Sequence, residues 1–115
     1  VRLVVDTGIH AQGWSEQRAV EYMMANTPTA EVKVRSEIRR YFVWPGQATA
    51  YKMGMLKLLA LREQATVALG KHFDIRGFHD AVLGGGSLPV PLLERRVNNW
   101  IAATLSAASV SAAAN

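Results

Sequence analysis

Two short blocks, residues 2–14 and 44–54, place polar groups capable of chemistry beside glycine or proline where helices should begin or end. The first carries Asp6, Thr7 and His10 ahead of Gly13 and Trp14. Asp6 and His10 are four apart, which puts both on one helix face. That spacing suits a carboxylate-oriented imidazole that binds substrate or stabilises a transition state. It also suits a histidine that satisfies the last carbonyls of a helix next to a packed Gly13–Trp14 turn; the sequence by itself favours this plainer reading. The second block sets Gln47, Tyr51 and Lys52 in the first two turns of a helix opened by Pro45 and Gly46. A phenol there can donate to a developing oxyanion, and an ammonium can bind a carboxylate. Gly54 would permit close approach of another backbone or a ligand. The alternative, with Tyr51 a core aromatic, Lys52 a solvated neighbour and Gly54 a helix-packing contact, stands level with it.

Other chemistry-bearing residues are less well placed. His72 and His79 are seven apart and His10 stands alone, so no metal site with ordinary ligand spacing can be assembled, and no cysteine is present to supply a thiolate. Gly84, Gly85 and Gly86 lack the preceding strand and the lysine of a phosphate loop. Tyr22 and Tyr41 sit at packing positions of amphipathic helices, and Trp14, Trp44 and Trp100 suit a core or an interface. His79 and Asp80 are adjacent, and adjacent residues on a helix do not face each other. By itself the chain holds no complete catalytic constellation.

The sequence predicts an all-α chain. Strand-like alternation is nearly absent and helix punctuation recurs. A first helix covers about Val1 to His10 and stops at Gly13. Ser15 can cap a second over Glu16 to Ala25, and Thr29 a third from Glu31 to about Val43. Pro45 fits the first turn of a fourth helix from about Gly46 to Leu69, ended by Gly70. That helix is apolar around most of its circumference, the pattern of an element buried among others. Asp74 can cap a short helix through Val82, and a last helix starts near Pro91. Residues 1–105 read as one helical segment; residues 106–115, rich in alanine and serine, read as a low-complexity, disordered tail.

The chain has 115 residues, half of them hydrophobic, and a formal charge of +4. One domain with a modest core fits that size. The basic residues are scattered among acids, and only Lys33 to Arg40 approaches a stripe, which argues against nucleic acid as a partner. No apolar run is long enough to span a membrane. The start at Val1, without methionine and inside an apparent helix, suggests a fragment or a processed chain.

Residues 2–14, 40–54 and 78–89 resemble the C-terminal part of the bacterial domain of unknown function 885 family, and the likeness runs to about Ala103. That family is in turn similar to gluzincin zinc metallopeptidases, which are large and all-helical, with a His-Glu-x-x-His helix and a downstream glutamate ligand. The resemblance implies that this chain is the C-terminal segment of such a peptidase. Zinc would be bound by residues upstream of Val1, and the missing N-terminal part and a peptide substrate would be its partners. In gluzincin chemistry a tyrosine from the C-terminal helices stabilises the oxyanion. Tyr51 is the first choice for it. Tyr41 is the second, because Ile38 to Phe42 looks similar to the tyrosine-bearing helix of the angiotensin-converting peptidases. His10 would be a supporting substrate contact, with Arg2, Gln47 and Lys52 as further substrate-binding candidates. Export, as a periplasmic protein or lipoprotein, and a cytoplasmic location both remain open for the parent. A non-catalytic helical interaction module is the alternative function.

Overall fold

The structure is a computed structural model, and it describes residues 1–113. As the punctuation predicts, these residues form six α-helices and no strand: α1 (Arg2–Gln12), α2 (Glu16–Asn26), α3 (Glu31–Val43), α4 (Gln47–Leu69), α5 (Ile75–Leu83) and α6 (Val90–Ala113), with a short 3-10 turn at Gly70–His72. The chain divides into two compact units, Val1–Gly54 and Met55–Asn115, with the boundary inside α4.

In the first unit α1, α2 and α3 bury one face each. Val5 and Ile9 from α1, Ala19, Val20 and Met23 from α2, and Val34, Ile38 and Tyr41 from α3 form one cluster, which Ala48 of α4 joins. The spacings of three and four residues are those of a helical stripe, and full burial of each large side chain stabilises by roughly 1.5–3 kcal/mol. Ser15 caps α2 by accepting from the Arg18 N–H at 3.2 Å. Gly13, in the left-handed region at φ 65°, ends α1. The Trp14 N–H then turns back to the Gly8 carbonyl at 2.9 Å.

Two boundaries differ from the sequence reading. Ala30, not Thr29, occupies the N-cap of α3, and no side chain caps it. Pro45 lies before α4 rather than in its first turn. Trp44 to Gln47 close a turn through a Gln47 N–H to Trp44 carbonyl bond at 3.3 Å, with Pro45 and then Gly46 at its centre. Gly46 has φ 78°, as the third residue of a type II turn requires, and a helix cannot include that angle.

In the second unit Leu61, Ala65 and Leu69 of α4 pack with Phe78 of α5 and Val97 and Ile101 of α6. Asp74 caps α5 by accepting from the Arg76 N–H at 3.0 Å. Along α4 and α6, Lys57 pairs with Glu94 and the Gln64 amide donates to Asn98 Oδ1 at 2.7 Å. The helix expected to be buried on most sides is not: Met53, Met55, Leu56 and Leu59 of α4 are all exposed. The expected tail at 106–115 is helical through Ala113, because alanine has the highest intrinsic helix propensity; its last two residues lie outside the described ones. No described helix is long and apolar enough to cross a membrane.

Candidate functional site

The two blocks singled out by sequence meet in the first unit, through groups the sequence reading passed over. Glu37 of α3 is the centre. Its Oε2 accepts from the Tyr41 hydroxyl at 2.9 Å and from Arg40 Nη2 at 2.8 Å, and pairs with Arg2 Nη2 at 3.4 Å. Spacings of three and four on α3 bring Glu37, Arg40 and Tyr41 to one face, and Arg2 reaches them from the start of α1. Burial alone would raise the Glu37 carboxyl pKa. Hydrogen bonds from Tyr41 and Arg40, with the charges of Arg40 and Arg2, outweigh that and hold it below its ordinary value. Tyr41 moves the other way: burial, then its bond to the Glu37 carboxylate, pushes the phenol up. The Arg40 guanidinium is also pushed up, chiefly by its hydrogen bond to Glu37.

From Arg40 a chain of bonds leads outward. Its Nη1 donates to Gln47 Oε1 at 3.3 Å, which fixes the amide: only the Gln47 NH2 remains for Tyr51. That NH2 donates to the Tyr51 oxygen at 3.2 Å. The phenol oxygen accepts one bond and keeps its own hydrogen to give away. Tyr51 is 61% exposed, whereas Tyr41 is 1% exposed and its hydroxyl is committed to Glu37. The two candidate tyrosines are thus chemically distinct. The Arg2 guanidinium lies 6.0 Å from the Tyr51 ring centroid. Arg2, Tyr51 and Lys52 line a cavity of about 450 Å3 with Val4 and Met23.

The proposed Asp6–His10 pair does not form. Asp6 is 3% exposed and its Oδ1 accepts from the Gly46 N–H at 3.0 Å, tying α1 to the turn before α4. His10 Nε2 instead lies 2.8 Å from the Tyr41 carbonyl. A carbonyl only accepts, so Nε2 carries the proton in that contact. His10 therefore bonds a carbonyl near the end of α3, not of its own helix. Gly54 faces open space: a Cβ there would meet nothing within 4 Å. Among the described residues no group of three or more His, Cys, Asp or Glu side chains is arranged to hold a metal ion.

Arg2, Tyr41, Gln47 and Tyr51 are therefore joined in one network, Lys52 stands at its edge, and His10 touches it only through the Tyr41 backbone. Glu37 and Arg40 were missed. Their signal was present in the sequence as the i, i+3, i+4 spacing with Tyr41, hidden within what reads as a basic stripe.

Comparison with known proteins gives the family of the chain. The family model described as bacterial protein of unknown function (DUF885) matches residues 1–97. The chain belongs to the DUF885 family. No curated protein matches it. Among solved structures, the crystal structure of a "putative lipoprotein" from Colwellia psychrerythraea is similar at 54% identity and a TM-score of 0.85. The likeness covers 87% of this chain but 17% of that one, so this DUF885 chain spans about a sixth of its solved relative.

Proposed function

We propose that this DUF885 chain forms one wall of the substrate cleft of a zinc-dependent peptidase, with Tyr51 as the hydrogen-bond donor to the oxyanion. One observation carries the reading: the Arg40–Gln47–Tyr51 chain directs amide hydrogens into the Tyr51 oxygen and leaves an exposed phenol hydrogen to be donated. Each bond in such a chain polarises the next, which strengthens the final donor. Oxyanion donors work when they are held in place before charge develops, and Gln47 supplies that restraint. Tyr41 serves as a positioning residue that holds Glu37 and, through it, Arg2 and Arg40.

Arg2 and Lys52, the cations lining the cavity beside Tyr51, are suited to a peptide carboxylate. His10 holds the end of α3. The described residues offer no metal site, so zinc in this reading belongs to other parts of the parent protein, which the greater length of the solved relative leaves room for. The description of that relative as a "putative lipoprotein" supports an exported parent.

The test is Tyr51→Phe in the full-length parent. Peptide hydrolysis is expected to lose about 10²–10³ in kcat, with zinc content and thermal midpoint unchanged. Undiminished hydrolysis in that variant would sink the assignment and favour a non-catalytic helical interaction module.

A further inference from the structure

The second unit contains a larger cavity, about 820 Å3, that lies outside the network around Tyr51. α5 forms one wall with Asp80, and α6 forms the other with Leu92, Arg95, Arg96 and Trp100; Leu88 comes from the intervening loop. On α6 the lining residues fall at i, i+3, i+4 and i+8, a single helix face. The charges on the two walls are opposite, yet among the described residues neither Asp80 nor either arginine joins an ion pair.

Arg96 is built in. Its Nε donates to the Ala81 carbonyl in the last turn of α5 at 2.6 Å, which satisfies a carbonyl that the helix leaves open. Gly84 and Gly85 make room for it: a Cβ on Gly85 would lie 3.3 Å from Arg96 Nε, and one on Gly84 3.1 Å from Nη2. Gly77 does the same for Trp100, whose ring would meet an added Cβ at 3.2 Å. Capping α5 uses only Nε, and the terminal nitrogens of the fork remain for a ligand.

We infer that this cavity binds a short zwitterionic peptide with an apolar side chain. Its carboxylate would lie against Arg95 and Arg96, its ammonium against Asp80, and its side chain between Leu88, Leu92 and Trp100. A cavity of this volume falls in the range of small-molecule sites, and its lining is divided between apolar side chains and the polar groups of Asp80, Arg95, Arg96 and Asn99. The opposite walls favour a dipolar ligand over a simple anion, because a lone anion would leave Asp80 unanswered and repelling. The inference is independent of the peptidase reading.

The experiment is calorimetric titration of the full-length parent with the dipeptide leucyl-leucine. Saturable binding is expected in the unmodified protein and in Tyr51→Phe. Arg95→Ala changes an exposed side chain that caps nothing, and it should weaken binding by at least about tenfold, the scale of one charge-assisted hydrogen bond. N-acetylated leucyl-leucine amide, which lacks both charges, should bind more weakly still. Absence of saturable binding would overturn the inference. Equal affinity in Arg95→Ala, loss in Tyr51→Phe instead, or inorganic phosphate binding as tightly as the dipeptide would each overturn it too.

Discussion

At the scale of single residues, the decisive contrast is between two tyrosines of one sequence block. Tyr41 gives its hydrogen to the half-buried Glu37 carboxylate, and Tyr51 receives a hydrogen and faces outward. Spacing could nominate both but could not rank them, because the ranking depends on Glu37 and on the amide orientation that Arg40 imposes. The sequence did show Gln47 and Tyr51 one turn apart. It could not show that Asp6 would turn from His10 to an N–H forty residues on, since a turn's need for an acceptor is invisible until the turn is placed. The Glu37 centre has a pH signature. Its folded pKa is lowered, so its stabilisation is fully present above the ordinary value of 4.5 and is lost as pH falls through the folded value. Glu37→Gln should therefore be less stable than the parent chain at neutral pH, with the gap closing as pH drops below 4.5. Urea midpoints across that range check it, and a pH-independent gap would remove Glu37 from the centre. Tyr41, with its folded pKa raised, stabilises below its ordinary 10.0 and loses that contribution as pH rises through the folded value.

At the scale of elements, the helices were legible because their ends are written in caps and breakers: Ser15, Gly13 and Asp74 each act where the sequence placed them. The failures are equally physical. Thr29 has the right chemistry one residue too early, and Gly46 adopts an angle that pushes the start of α4 past Pro45. Two glycines show how position decides sign. A Cβ on Gly8 would lie 2.5 Å from the Trp14 ring, in the contact that folds the turn after α1 back on the helix, whereas one on Gly54 would meet nothing. Gly8→Ala should cost about 1–3 kcal/mol by overpacking. Gly54→Ala, inside α4 with no obstruction, should stabilise by roughly 0.5–1 kcal/mol through lower backbone entropy in the unfolded chain. Thermal midpoints moving in the same direction for both would contradict this account of the two sites.

At the scale of the whole molecule, α4 departs furthest from its expected environment. Its sequence is that of a buried helix, but Met53, Met55, Leu56 and Leu59 are 57%, 45%, 46% and 50% exposed. Apolar side chains grouped on a single helix make a surface that water disfavours and that a partner would cover. The solved relative is much longer than the region it shares with this chain, and in the proposed reading the rest of a longer parent protein would supply that cover. The 115-residue chain on its own is therefore expected to self-associate, to hydrolyse no peptide and to retain no stoichiometric zinc. Replacing Met55 and Leu59 by lysine places charge on two exposed positions one turn apart, leaving both core clusters untouched. That variant should run as a monomer in light scattering with its helical content unchanged. If the unmodified chain is already monomeric at high concentration, the α4 face needs no cover, and its apolar residues do not mark an interface. Peptide hydrolysis by the isolated chain, with tightly bound zinc, would instead show that the catalytic centre lies within these helices, contrary to the division of labour proposed for Tyr51.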